Sequence, residues 1–138
     1  MNFFSIIINW WFIFWRGLAA AWRLAVSWFF VRTYLIIALS FNILSWVAMI
    51  LIYRNLAQDL AVLHYNIDFG IDLIGSRAQL FLNPTLGLIL IICDWAVVLF
   101  LTKSRDFKFF AHLVLAAAAL VNFVLALSVI AVYLINFR

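Results

Sequence analysis

The chain is predicted to be an all-α integral membrane protein, with three transmembrane helices preceded by an amphipathic N-terminal helix at the bilayer surface. Three observations predict this. The 138 residues are 70% hydrophobic and only 10% charged, whereas a globular domain carries about 25% charged residues. Three later runs are apolar over about 20 residues, the length needed to cross a bilayer. The polar residues of the N-terminal segment fall almost on one line. So much apolar surface cannot hide in a water-soluble core, and lipid must replace water as its solvent. The length suits a single membrane domain, residues 1–138.

The N-terminal segment, residues 2–29, sets its polar groups in a narrow stripe. Asn2, Asn9, Arg16 and Arg23 recur every seven residues, with Ser5 and Ser27 beside them. At ~100° per residue these six fall within an arc of roughly 60°. Most of the remaining surface is Ile, Leu, Phe and Ala, with Trp10, Trp11, Trp15, Trp22 and Trp28. Crossing the membrane would place Arg16 and Arg23 in hydrocarbon, at about 2.5–3.5 kcal/mol each near the centre. Lying flat removes that cost. The guanidinium groups then reach headgroups while the tryptophans sink, so Arg16, Arg23 and the five Trp are the expected membrane anchor. A spanning alternative needs a partner against the polar stripe. A cleaved leader is disfavoured, because no Lys or Arg precedes the apolar run and Arg16 separates it from Ala19-Ala20-Ala21.

The first predicted span, 34–53, lies between Arg32 and Arg54 with Tyr34 and Tyr53 at its ends. The second, 84–101, is opened by Asn83 as a cap and by Pro84, whose missing N–H is not needed in the first turn. The third, 109–135, is long enough to tilt. Within it, Ala116 to Ala119 would let helix backbones approach closely. Arg16, Arg23 and Arg32, with Lys103, Arg105 and Lys108 of the 102–108 loop, outnumber Arg54, Arg77 and Arg138 on the other side. The positive-inside rule therefore predicts a multi-pass protein of the plasma (inner) membrane with a cytoplasmic N-terminus and an extracytoplasmic C-terminus. The net charge of +4 is scattered over segment ends, which argues against nucleic acid as a partner. A single cysteine, Cys93, excludes an intramolecular disulfide and reads as a small packing residue.

The loop 54–82 is expected to be extended and extracytoplasmic. From His64 to Leu73 apolar and polar or small residues alternate, the signature of a strand. One face would then carry His64, Asn66, Asp68 and Asp72, the candidate binding residues of the loop. Neighbours on a strand face stand about 6.5–7 Å apart, whereas a cation needs ligands within about 2.0–2.6 Å. No metal is expected there. The residues His64-Tyr65-Asn66, Gly70, Asp72, Gly75-Ser76-Arg77 and Pro84-Thr85-Leu86-Gly87 resemble the DUF1648 module of SdpI-type bacterial immunity proteins. The resemblance covers residues 60–100. Ala61-Val62 stands where that family has a proline, and Gly70 arrives one residue late. The resemblance implies a bacterial membrane protein of immunity or signalling type, whose loop recognises a ligand or partner.

Asp94 is the one carboxylate inside a predicted span. It should be protonated, paired or turned toward protein; its candidate partners in the other spans are Ser40, Asn42, Ser45, Asn122 and Ser128, of which Asn42 and Asn122 lie at suitable depths to meet it. Two readings stand open, a polar clasp holding the bundle or an oligomer together and a proton or cation site. His112 is expected at headgroup level near Lys108. There is no Glu, no nucleophile–base pairing, and too few glycines (four) for a nucleotide-cradling loop. Neither enzyme activity nor a cofactor is expected. The preferred function is a small accessory or scaffold subunit, embedded in the lipid bilayer and working through another membrane protein or as a homo-oligomer. The alternatives are a receptor or immunity-type protein using the Arg54–Leu82 loop, and a minimal proton or ion transporter using Asp94.

Overall fold

The computed structural model describes residues 3–66 and 70–137. The elements run α1 (Phe3–Ser27), α2 (Phe29–Asn55), β1 (Leu60–Asn66), β2 (Gly70–Ser76), a 3-10 turn (Arg77–Phe81), α3 (Leu82–Leu101) and α4 (Phe107–Phe137). All four α-helices are long and apolar enough to cross a membrane, so length and composition alone do not set α1 apart from the other three. The chain is built for a membrane.

A single residue separates α1 from α2. Trp28 takes an extended backbone, φ −78° and ψ 123°, and that break lets the chain change direction without proline or glycine. The Ser27 hydroxyl donates to the Leu24 carbonyl, and the Trp28 N–H to that of Ala25, which closes the end of α1. The next helix therefore begins at Phe29 rather than at Tyr34, and Arg32 lies inside it.

Helices α2, α3 and α4 pack against one another. Their buried residues recur at intervals of three, four and seven: Val31, Ala38, Asn42, Ser45, Met49 and Ile52 on α2, and Pro84, Gly87, Ile91 and Val98 on α3. The stripe on α4 runs from Phe107 through Ala111, Leu115, Ala118 and Asn122 to Val132. This spacing keeps one face of each helix inward. Ala118 and Ala119 are buried while Ala117 is exposed, so half of the predicted small-residue run forms the packing face. The outward faces stay apolar and exposed, with Ile36, Leu44, Ile92 and Leu120 among them.

The bundle is closed differently at its two ends. Ala25, Val31, Val98 and Phe107 cluster beside the Trp28 break. At the far end Met49, Ile52, Leu80, Val129 and Val132 pack beneath Ala61 of the sheet. That sheet corrects the expectation of one extended segment. Strands β1 and β2 pair antiparallel, from Leu60 opposite Ser76 to Asn66 opposite Gly70. Register shifts on either side of His64 leave Leu63 on β1 and Asp72 on β2 as extra residues. The alternation in the sequence continues straight through the position where the chain reverses. The hairpin is closed at its base by Arg77, whose N–H donates to the Asp59 carbonyl at 3.1 Å and whose Nη2 sits 3.1 Å from Asp59 Oδ1.

Candidate functional site: an asparagine clasp and an open helix

The clasp begins with a glycine. At Gly87 a Cβ would stand 2.5 Å from Asn122 Oδ1 and 2.7 Å from Asn42 Nδ2. Its hydrogen is what admits two amide side chains from neighbouring helices to one point. Asn42 Nδ2 donates to the Pro84 carbonyl at 2.9 Å and to Asn122 Oδ1 at 3.2 Å. Asn122 Nδ2 donates to the Ala118 carbonyl of its own helix at 3.0 Å and reaches the Gly87 carbonyl at 3.4 Å. Asn42 and Asn122 are 3% and 1% exposed, so the three helices are joined by hydrogen bonds that do not compete with solvent.

A second link lies about one turn away. Asn83 Nδ2 donates to Ser128 Oγ and to the Leu125 carbonyl of α4, and the Ser128 hydroxyl donates to that same carbonyl. Asn83 is therefore not the cap of α3. The 3-10 turn runs into the helix, the N-cap position is Phe81, and the amide is free to reach across. The hairpin is fastened in a related way. Asn136 Oδ1 accepts from the Val62 N–H at 2.9 Å, while its Nδ2 donates to the Val62 carbonyl at 2.8 Å.

Asp94 stands apart from this network. It is half-buried on the flank of the α3 stripe and has no hydrogen-bond or ion-pair partner among the described residues. Two turns separate it from Gly87, about 10 Å along the axis, and Asn42 and Asn122 are engaged with each other instead. Ser45 bonds the Phe41 carbonyl within its own helix. Cys93, expected to be a packing residue, is exposed, because it faces away from the stripe of Gly87, Ile91 and Val98.

The loop residues do not form one row. His64 pairs in register with Leu73 and lines a cavity of about 360 Å³ with Met49, Asn83 and Ser128. Asn66 and Asp72 lie on different strands, and Asp68 falls outside the described residues.

The anchor residues divide into two groups. Trp10, Trp11 and Trp15 are exposed, as are Arg16 and Arg23. Trp22, also exposed, and the half-buried Trp28 touch other helices. Trp22 meets Trp95 of α3 edge-on at 4.9 Å, and Trp28 lies beside Phe107 with Lys108 Nζ 4.5 Å above its ring. His112 stacks on Phe30 at 3.9 Å. Only Ala25 is buried among the described residues of α1. Its ring and groove contacts with α3 all fall between Trp95 and Lys103.

Sequence reasoning found Asn42 and Asn122 and gave them to Asp94. It missed Gly87, the Asn83–Ser128 link and the Asn136 fastening. An isolated glycine inside a helical run is a signal of close backbone approach, and Gly87 carried that signal. No family model, curated protein or solved structure matches the chain. The likeness to the DUF1648 module rests on the residues quoted for it.

Proposed function

We propose that the protein is a small accessory or scaffold subunit, a three-span bundle of α2, α3 and α4 carrying α1 as a surface anchor, that acts through contacts with other membrane proteins. The observation that carries this reading is the contact pattern of α1. The helix is about 37 Å long at the usual rise, yet its ring contact and shared groove with α3 lie on the C-terminal part of that helix, from Trp95 to Phe100, and on Thr102 and Lys103 just beyond it. Contact on that end suits a helix that leaves the bundle for the bilayer surface. At the surface, the exposed Arg16 and Arg23 would be free to reach headgroups. The buried amides of the bundle are used in holding it together, which suits a rigid platform. The N-terminus and the 102–108 connection then face the cytoplasm, and the hairpin and C-terminus face out.

Extraction into native nanodiscs, followed by mass measurement of what is released, tests the proposal. A stoichiometric second membrane protein is the expected result. A lone monomer or a homomer binding nothing else would overturn the subunit reading.

One observation favours a second reading. Asp94 is a half-buried carboxylate in an apolar helix, and an ionisable residue within a span is by default a candidate for a proton or ion path. Proton flux into liposomes containing the protein should then vanish in Asp94→Asn. Equal flux in both proteins, at the level of empty liposomes, would eliminate it.

A further inference from the structure

We infer that the groove between α1 and α3 holds one anionic diacyl phospholipid, with an acyl chain along the groove and the phosphate at Lys103. The inference rests on the surface placement of α1 proposed above. The groove encloses about 410 Å³ and runs between Phe14 and Gly17 of α1 and Leu99 and Phe100 of α3, ending at Thr102 and Lys103. Its volume lies within the range of about 300–1,000 Å³ common for small-ligand pockets.

Three features define the occupant. The walls are apolar and the groove is open along its side, with Phe100 86% exposed at its edge, which suits a chain continuous with surrounding lipid. Gly17 keeps the groove wide, because a Cβ there would meet nothing within 4 Å. The polar end is cationic. Lys103 is exposed and makes no ion pair among the described residues. Arg105 follows two residues later, Arg16 precedes Gly17 on α1, and Asp106 is the one acid of the 102–106 connection. The Thr102 hydroxyl already donates to the Leu99 carbonyl, so it is the ammonium that is left for an anion. Basic pockets between helices on the cytoplasmic side are suited to anionic headgroups.

The test is native mass spectrometry of the full chain in mild detergent, with phosphatidylglycerol or phosphatidylcholine of the same chain length added. Wild type should retain one phosphatidylglycerol in preference to phosphatidylcholine. Lys103→Gln should lower that preference by about fivefold, the effect of one basic residue near an anionic headgroup, while still binding lipid. Gly17→Leu should fill the groove and lose both lipids with the helical circular dichroism unchanged. No headgroup preference in wild type, or full retention in Gly17→Leu, would overturn the site. The placement of α1 is read separately, by labelling Ser5→Cys with an impermeant thiol reagent in a Cys93→Ser background. Reaction from the extracytoplasmic side would overturn the surface placement and the lipid site with it. Lost lipid preference with Ser5→Cys silent from that side would overturn the lipid site alone.

Discussion

Helices α1 and α4 are both long, apolar and rich in aromatics, yet they treat their polar residues in opposite ways. On α4 Asn122 points inward and is 1% exposed, tied to α2 and α3 around Gly87. On α1 the described polar residues from Ser5 to Ser27 are exposed, as are most of the apolar ones, and among its described residues only Ala25 is buried. Apolarity alone does not separate a well-buried helix from one left mostly exposed beside the bundle. What separates them is whether the polar groups are buried against neighbouring helices. Glycine shows the same contrast. Gly87 sits where a Cβ would collide with two amides, and Gly17 where a Cβ would touch nothing.

The two glycines supply the strongest way to break this comparison. Gly87→Leu should destabilise the bundle by about 1–3 kcal/mol through overpacking, and by a further ~1–3 kcal/mol for a buried amide left without its partner. Gly17→Leu should change stability by no more than about 0.5 kcal/mol. Unfolding of both variants by a strong detergent titrated into mild micelles checks the pair. Equal effects at the two positions would mean that α3 does not approach α2 and α4 as closely as the clasp requires.

The asparagines give a smaller and more discriminating effect. Hydrogen bonds between helices in a bilayer are worth on average ~0.6 kcal/mol and at most ~1.7 kcal/mol, because the separated helices also find partners. Asn42→Leu and Asn122→Leu should each destabilise the bundle, and the double variant should lose less than their sum, since neither amide then remains alone. Strict additivity in that cycle would show that the two side chains act independently. Asp94→Leu should not couple to either, because it lies two turns beyond the clasp.

Much of the helical plan was legible in the sequence, because α2, α3 and α4 are nearly unbroken apolar runs with their basic residues near the ends. The break at Trp28 was not. It is a single residue in extended conformation with neither proline nor glycine, and Trp28 differs from its neighbours only in its backbone angles. The hairpin was misread as one strand for a definite reason. The alternation from His64 to Leu73 has the same period on both arms, so periodicity alone cannot reveal the reversal between them. Asn83 was misassigned because the sequence Asn-Pro has the pattern of a helix start, whereas the preceding 3-10 turn already supplies one. The clasp was half legible. Polar residues at similar depth in three apolar runs announce a contact, but which of them meet depends on axial offset, and the two turns between Gly87 and Asp94 decide it.

The smallest expected effect lies at the far end of the bundle and asks how the hairpin is held. Asn136 presents an acceptor and a donor to the two backbone groups of Val62, as a neighbouring strand would, and so covers an edge that would otherwise be open to another chain. Asn136→Ala should remove both bonds. At about 1 kcal/mol for a modest net hydrogen bond, exchange of the Val62 amide proton should quicken about fivefold, while amides around Asn42 and Asn122 keep their protection. Asn136→Asp separates the two halves of the contact. It retains an acceptor for the Val62 N–H but sets a carboxylate oxygen against the Val62 carbonyl, so it should disturb the hairpin at least as much as alanine does. If both variants exchange like wild type, β1 is held by its pairing with β2 and by the packing of Ala61 on Leu80 and Val132, and the Asn136 contact adds nothing measurable. If exchange instead quickens across the whole of α4, the hairpin and the bundle open as one unit, and the clasp and the Asn136 fastening belong to a single cooperative structure.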